Sequence, residues 1–455
     1  MNYPNKHIVI IGGNAAGMSA ASRIRRNDLK VKITVFEKSN YVSYAACGLP
    51  YFISDEINRA DNLIAVQVND FIEHRNIQVK LRHEGVSFDA RSKTVQIRDL
   101  NNDRIVELEY DKLIIASGAR PVMPSIPGSH LKNIFALRTL SDGIMIKEFI
   151  EKTNPHNALI IGGGYIGLEM AEALIKKNIN VTLVEMRDRL MNNVDPEISD
   201  QIENYLKEKG CNIIKSEKVT AFIGDEKVEA VRFQRKEELA VDLVLSASGI
   251  QPNTEFAVSG GVELGKSGAI AVNSKMQTNN MHVYAAGDCA EAKNLVTGKN
   301  DYIPLGTTAN KQGRVAGDNA SGKVSHFNGI VATAAFKIFN LEVARTGISE
   351  QQAKDLRIPY KKVIIHDKTR ASYYPGSEPM SVLLIFNAST GRLLGAQIVG
   401  YQGAAKRIDV LATALYKSMT VQEIAELDLS YAPPFAPVWD PILIAANQAV
   451  KSSRQ

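Results

Sequence analysis

Two segments of the chain share one pattern of hydrophobic and polar positions. HIVIIGGNAAG at residues 7–17 and NALIIGGGYIG at residues 157–167 each begin with an apolar run that does not alternate with polar residues. Such a run is typical of a parallel strand covered on both faces. A glycine-rich turn, a helical segment and a second apolar strand follow in each copy, and the second strand ends on Glu37 or Glu185. The pattern predicts two strand–turn–helix–strand units of an α/β fold.

The glycine spacing in these units predicts two dinucleotide-binding sites. Glycines let the backbone approach a pyrophosphate, the helix N-terminus presents free N–H groups to it, and an acid about 20 residues later binds the ribose hydroxyls. The first unit keeps Gly12 and Gly17 but has Asn14 at the middle position. The second unit has the complete G-x-G-x-x-G motif, formed by Gly162, Gly164 and Gly167. Two such units indicate FAD in the first and a nicotinamide cofactor in the second; an ordinary pair of βαβ units with tight turns is the alternative.

The remaining segments predict a discontinuous first domain. YDKLIIASGARP at 110–121 and VDLVLSASGIQPN at 241–253 each run from a strand into a small-residue turn before a proline, and they flank the second unit. We therefore interpret both as crossings between domains. The C-terminal region reads as strands followed by helices, which is an α+β pattern. The predicted domains are an FAD domain at 1–117 and 248–323, an NAD(P)H domain at 118–247, and a C-terminal dimerisation domain at 325–455.

Composition places the chain among ordinary globular proteins. Of its 455 residues, 45% are hydrophobic and 23% are charged, close to the average for soluble domains. It has neither the run of about 18 apolar residues that a membrane span needs nor a signal peptide, because glycines interrupt the first apolar run. The net charge of +5 permits an anionic ligand but does not indicate nucleic-acid binding. His and Cys lack metal-ligand spacing, so we expect a soluble, cytoplasmic protein without a metal site.

The cysteines provide the candidate chemistry. There are three, an odd number that does not form a disulfide framework and indicates a reducing compartment. Cys47 lies in YVSYAACGLPYFI at 41–53, soon after the first unit. We expect Cys211, at the start of a strand, to be a buried packing thiol, and we assign no redox role to Cys289, which follows Asp288.

With these units in this order, the chain resembles the pyridine nucleotide–disulfide oxidoreductases along its whole length. Glutathione-reductase-like members carry a C-x4-C pair where this chain has only Cys47, so the resemblance is to the single-cysteine branch of NADH oxidases, NADH peroxidases and coenzyme A-disulfide reductases. Asn14 stands where the oxidases and peroxidases typically carry a histidine. Four segments are similar to the coenzyme A-disulfide reductases: S-x-x-x-C-G-L-P-Y around Cys47, ASYYPG at 371–376, KRIDVLA at 406–412 and LSYAPPFAPVWDP at 429–441.

The resemblance implies NAD(P)H-dependent reduction of coenzyme A (CoA) disulfide through FAD and a Cys47–S–S–CoA mixed disulfide, with CoA persulfide or polysulfide as further acceptors. Exchange needs a thiolate, which predicts a lowered pKa for Cys47. Tyr374 and Tyr431 are the implied hydroxyl donors to the leaving CoA thiolate, and Tyr373 stays open. The resemblance also implies a homodimer in which Tyr431 reaches the other subunit's Cys47. An NADH oxidase acting through a cysteine sulfenic acid and a non-catalytic redox-sensing flavoprotein are the alternatives.

The resemblance also assigns binding residues. Glu185 favours NADH because a carboxylate binds the ribose hydroxyls and repels a 2′-phosphate, although Arg187 and Arg189 leave some use of NADPH open. Cofactor contacts are expected at Gly12, Ala16, Gly17, Glu37, Lys38, Val86, Ser117, Gly118, Gly162, Gly164, Gly167, Glu185, Gly249, Gly287, Asp288 and Ala309. Contacts to CoA are expected at Ser19, Arg23, Arg26, Ser43, Arg75 and Arg370. For each arginine, a solvated basic surface is the competing interpretation.

Overall fold

The computed structural model of the protein describes residues 6–453. The helical segments up to residue 136 are α1 (Ala15–Asn27), a 3₁₀ turn (Ala46–Gly48), α2 (Leu49–Ile53), a second 3₁₀ turn (Ala60–Leu63) and a π-helical turn (Asp70–His74). The strands of the same part are β1 (His7–Ile11), β2 (Lys32–Glu37), β3 (Gln78–Leu81), β4 (His83–Asp89), β5 (Thr94–Asp99), β6 (Arg104–Glu109), β7 (Lys112–Ile115), β8 (Ala119–Pro121) and β9 (Ile134–Ala136).

The helices of the rest of the chain are α3 (Leu140–Thr153), α4 (Tyr165–Lys176), α5 (Pro196–Glu208), α6 (Glu255–Ser259), α7 (Gly306–Ser321), α8 (Glu350–Asp355), α9 (Ala404–Tyr416), α10 (Val421–Ala425) and α11 (Pro441–Ser453). Its strands are β10 (Asn157–Ile161), β11 (Asn180–Glu185), β12 (Asn212–Lys215), β13 (Val219–Ile223), β14 (Ala230–Phe233), β15 (Leu239–Ala240), β16 (Leu243–Ser246), β17 (Ile250–Pro252), β18 (Val283–Ala285), β19 (Ala292–Lys293), β20 (Asn300–Asp301), β21 (Ala334–Ile338), β22 (Leu341–Gly347), β23 (Tyr360–Lys368), β24 (Pro379–Asn387) and β25 (Leu393–Gly400).

The first sheet is parallel and has the strand order β18–β7–β1–β2–β3. Ile8 and Ile10 of its central strand pack against α1 and α7. Val9 and Ile11 pack on the other side, against β4 and β5 of a separate three-stranded antiparallel sheet. All four side chains are at most 6% exposed. The apolar run lacks alternation because both faces of this sheet are covered, as the sequence predicts.

The second sheet repeats this arrangement with the order β12–β11–β10–β16–β9. Ala158 and Ile160 of β10 pack against α4, while Leu159 faces β13 and β14. The predicted duplication of one unit is therefore present in the fold. Between the two sheets, β8 and β17 form an antiparallel ribbon, so the two segments interpreted as crossings lie side by side.

The C-terminal sheet is antiparallel, with the order β21–β22–β25–β24–β23. Val382 and Leu384 of β24 pack against α9 and α11. Leu383 and Ile385 alternate to the opposite face, where they join the core that contains α4 and α5. The fold class predicted from the sequence, two dinucleotide-binding units followed by an α+β region, is confirmed. Within residues 6–453, no helix combines the length and the apolar character that crossing a bilayer requires.

Candidate active site

Each repeated unit fixes the acid at the end of its second strand in the same way. The Glu37 carboxylate accepts hydrogen bonds from the backbone N–H of Gly13 at 2.7 Å and of Ser39 at 2.8 Å. The Glu185 carboxylate accepts from Gly163 N–H at 2.8 Å and from Arg187 N–H at 2.9 Å. Each carboxylate oxygen keeps a further lone pair. Both acids are therefore held beside a glycine turn in a geometry that suits ribose hydroxyls.

The first and last glycines of each turn are required by the packing of the protein itself. Gly12 and Gly162 have φ angles of +106° and +108°, a region that disfavours side chains. A Cβ added at Gly17 would lie 1.8 Å from the Gly12 carbonyl oxygen, and one at Gly167 would lie 2.0 Å from the Gly162 oxygen. These four residues therefore shape the strand-to-helix turn whether or not a ligand binds.

The middle position of the glycine turn is Gly164 in the second unit and Asn14 in the first, and the two residues have different surroundings. Gly164, at the N-terminus of α4, has no protein atom within 4 Å of an added Cβ and a φ of −87°. Neither packing nor backbone conformation requires a glycine here, which fits close approach of a pyrophosphate to the helix N-terminus. In the first unit, the Asn14 side-chain oxygen instead accepts a hydrogen bond from Tyr44 N–H at 3.2 Å. Asn14 thereby ties the first turn to the segment that leads to Cys47.

A second set of predicted cofactor residues meets at the ends of α1 and α7. An added Cβ on Gly287 would lie 2.8 Å from Ala16 Cβ and 3.5 Å from Ala309 Cβ. Asp288 forms an ion pair with Arg138 at 2.5 Å. Without a side chain, Gly287 lies close to the first turns of both α1 and α7. The free N–H groups of two helix N-termini in this cradle fit the phosphates of a flavin cofactor. Sequence reasoning missed Arg138, which lies 150 residues from its partner.

Four more of the predicted cofactor residues, Ser117, Lys38, Val86 and Gly249, lie in the connections and strands of the two dinucleotide units or the three-stranded sheet. Ser117 Oγ donates to the Asn253 carbonyl at 2.7 Å, in the strand-to-ribbon connection that also contains Gly118. Lys38 forms an exposed ion pair with Glu84 at 2.7 Å. Val86 lies at the bulge between β4 and β5, where the register shifts. At Gly249, φ is +117° and an added Cβ would meet no protein atom within 4 Å. In residues 6–453 no cluster of three or more His, Cys, Asp or Glu could hold a metal.

Cys47 lies in the 3₁₀ turn that leads directly into α2, and part of its surface is exposed. Burial of the thiol raises its pKa above the usual value, the Glu169 and Asp288 carboxylates raise it further, and Arg138 opposes them. The sequence-based prediction of a lowered pKa differs from this result. Desolvation and two carboxylates outweigh one guanidinium, and these groups come from distant parts of the chain. Cys211 is buried, as predicted for a packing thiol, and Cys289, to which we assign no redox role, is buried as well.

Glu169 is a titratable group of this site that sequence reasoning missed. It lies on α4, which packs against α2, and it is the largest charged influence on the Cys47 thiol. Burial raises its pKa to about 7, Glu172 adds to the shift, and Lys337 opposes it. A glutamate three residues before another glutamate on a helix gives the pattern of an exposed surface, so the sequence carried no signal for this placement.

Removing the Glu169 charge is expected to lower the pKa of the Cys47 thiol. In Glu169→Gln the carboxylate that disfavours a neighbouring thiolate is lost, so Cys47 becomes a thiolate at lower pH. The difference from wild type is largest above pH 7, because Glu169 is ionised there, with a pKa of about 7. The measurement is the rate of Cys47 alkylation by iodoacetamide as a function of pH. Glu148→Gln, on the exposed side of α3, is the control. If the pH at which alkylation reaches half its maximal rate is unchanged or higher in Glu169→Gln, the prediction is contradicted.

A cavity of about 590 Å³ lies between α1, α7, the segment before Cys47 and the π-helical turn. Four of the six residues predicted to bind CoA line it: Ser19, Arg26, Ser43 and Arg75. Sequence reasoning missed Asn310 and Arg314 of α7, which also line the cavity. Ser19 Oγ donates to Asn310 Oδ1 at 2.7 Å, which joins the two helices at the cavity.

Three guanidinium groups line this cavity and have no carboxylate partner in the part of the chain that the structure describes. Arg26, Arg75 and Arg314 line it, and none forms an ion pair with an Asp or Glu of the described chain. The Arg75 guanidinium lies over the Phe71 ring, 4.8 Å from its centroid, and Nη1 is 3.5 Å from Ser22 Oγ. Guanidiniums suit phosphate groups because their donors form a planar fork. The cavity therefore has the charge and the donors to bind a polyanionic ligand.

The structure does not bring the other two predicted CoA residues into this cavity. Arg23 Nε donates to Asp318 at 2.6 Å, so its charge is used to join α1 to α7. Arg370 lies in the C-terminal region, where Nη2 donates to Gln402 Oε1 at 3.3 Å. Both arginines have roles that depend on segments far away in the sequence, which explains why α1 alone could not separate Arg23 from Arg26.

The predicted tyrosines lie on the C-terminal region and do not line the cavity of their own chain. Tyr373 and Tyr431 are exposed, and their hydroxyl oxygens are 3.3 Å apart. Tyr374 is also exposed. We call the exposed side chains of these two adjoining segments the aromatic surface; its members are Tyr373, Tyr374, Tyr431, Phe435, Val438 and Trp439.

The sheet order, the paired acid-and-glycine turns and the free cysteine beside the flavin cradle define a two-dinucleotide disulfide oxidoreductase. Residues 6–313 match the model of the pyridine nucleotide-disulphide oxidoreductase family, and residues 333–441 match the family's dimerisation domain. The chain belongs to this family. It is a flavoprotein NAD(P)H oxidoreductase, and FAD and NAD(P)H are the cofactors that the family implies.

The chain is similar both to reductases of sulfur compounds and to NADH oxidases. The chain is 40% identical to the NAD(P)H coenzyme A polysulfide/persulfide reductase of Pyrococcus horikoshii over 443 residues, 97% of this chain and 98% of that protein. It is 36% identical to an NADH oxidase of Methanocaldococcus jannaschii over 444 residues, again 97% and 98%. The solved structure of a NAD-dependent persulfide reductase from A. fulgidus superposes with a TM-score of 0.95 at 41% identity, covering 98% of this chain and 83% of that one.

Proposed function

We propose that the protein is an NAD(P)H-dependent flavoprotein reductase of CoA disulfide, CoA persulfide or CoA polysulfide, with Cys47 as its single redox cysteine. One observation carries this proposal. The cavity is lined both by three guanidiniums that have no carboxylate partner within residues 6–453 and by residues 43–45, the last of which is two positions before Cys47. A ligand with phosphates at one end and a sulfur at the other fits that arrangement.

The chemistry of CoA matches the lining of the cavity. Its adenosine end carries a diphosphate and a 3′-phosphate, and its pantetheine arm ends in the thiol. Phosphates are bound by forked guanidinium donors, here Arg26, Arg75 and Arg314. Ser43 and Ala45 continue the wall toward Cys47. Glutathione disulfide has no phosphates and would leave three guanidiniums unpaired, so the site favours CoA.

The reaction follows from thiol–disulfide exchange at Cys47. The Cys47 thiolate attacks one sulfur of CoA disulfide, the S–S bond breaks, and a CoA thiolate leaves and takes up a proton. With CoA persulfide, attack on the CoA-bound sulfur releases hydrosulfide, and the same Cys47–S–S–CoA mixed disulfide forms. FAD, which Glu37, Gly287 and Asp288 would hold, would supply the two electrons from NAD(P)H that, with protons from solvent, return this disulfide to CoA thiol and Cys47. The neighbouring carboxyl of Glu169, with a pKa of about 7, populates both protonation states near neutral pH and can therefore exchange a proton beside Cys47.

We infer that NADH is preferred to NADPH because of Glu185. A buried carboxylate fixed by Gly163 and Arg187 N–H groups accepts hydrogen bonds from the ribose hydroxyls and repels a 2′-phosphate. Glu185→Gln keeps an acceptor for Gly163 but removes the charge. We expect kcat/KM for NADH to fall about tenfold, as for loss of one hydrogen bond to a charged group, while that for NADPH rises. Steady-state kinetics with both coenzymes measure the two values of kcat/KM, and Glu226→Gln is the control. An unchanged ratio of kcat/KM for NADH to that for NADPH in Glu185→Gln contradicts the prediction.

We infer that the working enzyme is a homodimer that buries the aromatic surface. The match to a dimerisation domain supports this, and the tyrosines do not reach the cavity of their own chain. Trp439 is the single tryptophan and is exposed in one chain. We expect a dimer in sedimentation experiments, with blue-shifted tryptophan emission that moves to the red on dissociation. A fully active monomer, or an emission that does not change on dissociation, contradicts the proposal.

Acceptor profiling tests the proposed function. The purified enzyme with NADH is assayed with CoA disulfide, CoA persulfide, glutathione disulfide and O₂, and the unreduced protein is weighed by mass spectrometry. We expect the highest kcat/KM with a CoA acceptor and a CoA adduct on Cys47. O₂ as the preferred acceptor, with a cysteine sulfenic acid and no CoA adduct, would identify an NADH oxidase instead. Absence of turnover with every acceptor would favour a redox-sensing flavoprotein.

A further inference from the structure

Arg25 is a buried arginine of α1 whose role differs from those of its two neighbours. Arg23 pairs with Asp318 and Arg26 lines the cavity, whereas Arg25 is only 9% exposed and forms no ion pair among the described residues. Burial lowers the pKa of its guanidinium, and Asp28 opposes the shift. A charge held away from water in this way costs free energy unless its donors are satisfied.

The Arg25 guanidinium satisfies its donors entirely on backbone carbonyls. Nη1 donates to Asp28 O at 3.1 Å and Nη2 to Val31 O at 2.8 Å, both just beyond the C-terminus of α1. Nε donates to Arg75 O at 3.0 Å and Nη2 to Asn76 O at 2.6 Å. One side chain therefore fastens the end of α1 to a turn about 50 residues later in the chain.

The turn that Arg25 binds contains Arg75, one of the arginines that line the cavity. Arg75 immediately follows the π-helical turn Asp70–His74, a geometry often found at functional sites. Asn76 has a φ of +49°, so the chain reverses there in a left-handed conformation. The side chain of Arg75 stacks on Phe71 and points at Ser22, at the cavity wall. The backbone atom that Arg25 binds belongs to the same residue whose guanidinium faces the cavity.

We propose that Arg25 is a positioning residue that holds the Arg75 guanidinium at the anionic end of the CoA cavity and so sets the preference for acceptors that carry phosphates. This inference rests on the proposed function. Arg25 touches no substrate itself; it orients Arg75 through the Arg75 and Asn76 carbonyls. The expected consequence is confined to acceptors with an adenosine phosphate end.

Kinetics of Arg25→Lys test the proposal, with CoA disulfide and pantethine, the disulfide without adenosine phosphates, as acceptors. Lysine keeps the charge but cannot reach four carbonyls in two segments. We expect KM for CoA disulfide to rise about tenfold, the scale of one hydrogen bond to a charged group, with kcat, KM for NADH and the values for pantethine unchanged. Arg98→Lys makes the same substitution at a partly exposed arginine on β5 of the three-stranded sheet; it is the control and leaves every value unchanged.

A double-variant comparison separates positioning from general packing. If Arg25 acts through Arg75, Arg25→Lys combined with Arg75→Ala has the same KM for CoA disulfide as Arg75→Ala alone. If the two substitutions instead raise KM independently, so that their fold-changes multiply in the double variant, the proposal is overturned. It is also overturned if Arg25→Lys lowers the melting temperature but leaves KM for CoA disulfide unchanged. Should Arg25→Lys fail to fold, Asn76→Val strains the same turn without removing a buried charge, because a β-branched residue disfavours the left-handed φ of +49°. We expect it to raise KM for CoA disulfide, and an unchanged KM overturns the proposal.

The wild-type enzyme distinguishes failure of this inference from failure of the proposed function. Equal kcat/KM for CoA disulfide and pantethine in the wild type means that the cavity does not recognise CoA, and the proposed function fails. A wild-type preference for CoA disulfide that Arg25→Lys leaves intact retains the proposed function and overturns only the role of Arg25.

Discussion

Cys47→Ser is expected to abolish reduction of CoA disulfide and CoA persulfide, by about 10³-fold or more, a scale typical of removing a covalent nucleophile. A serine hydroxyl cannot form the mixed disulfide, and the remaining thiols cannot substitute because Cys211 and Cys289 are buried. In the proposed mechanism, reduction of the bound flavin by NADH does not pass through Cys47, so it should persist at close to the wild-type rate. Anaerobic stopped-flow absorbance follows the flavin, and release of CoA thiol follows the acceptor.

Cys211→Ser is the matched control for this variant, since it makes the same substitution at a thiol that packs in the second dinucleotide unit. It should keep both half-reactions. Retained acceptor reduction in Cys47→Ser would remove Cys47 from the chemistry. Loss of flavin reduction by NADH in the same variant would show that Cys47 supports the cofactor site instead of acting after it.

The dinucleotide units could be predicted from the sequence because their determinants are local. Ile8 to Ile11 form an unbroken apolar run since both faces of β1 are covered. Gly12 and Gly17 approach within a single turn, and Glu37 binds back to Gly13 across one strand–helix–strand unit. Each constraint lies within about 30 residues, so the amino-acid pattern alone carries it. The second unit, near residue 160, has the same local contacts, so the sequence shows the pattern twice.

The rest of the site depends on contacts between distant segments, which a local pattern does not contain. Arg23 and Arg26 are one helical turn apart, and nothing in the local sequence distinguishes them. In the fold, Arg23 pairs with Asp318 of α7, whereas Arg26 lines the cavity. Arg314 joins the cavity from nearly 300 residues away. The chemistry of disulfide exchange predicts a lowered pKa for Cys47, whereas Glu169 of another unit helps to raise it.

Removing two of the cavity guanidiniums is expected to weaken recognition of CoA without affecting the chemistry at Cys47. Arg26 of α1 and Arg314 of α7 face the same cavity from opposite helices, and neither has a carboxylate partner in residues 6–453. A hydrogen bond between charged groups contributes about 1.5–3 kcal/mol. Both side chains are exposed, so screening places the effect near the lower bound. The Arg26→Ala/Arg314→Ala variant should therefore raise KM for CoA disulfide about 100-fold.

Three comparisons make this expectation specific to the phosphates. Pantethine lacks them, so its kinetics should not change, and kcat with saturating CoA disulfide should stay near the wild-type value because Cys47 is untouched. Added salt should raise the wild-type KM more than that of the variant, because it screens the charges that the variant has lost. Arg91→Ala/Arg104→Ala removes the same net charge from the three-stranded sheet and should leave KM unchanged. An equal rise in KM in this control would assign the effect to long-range charge, and the guanidiniums would then attract CoA without forming its binding site.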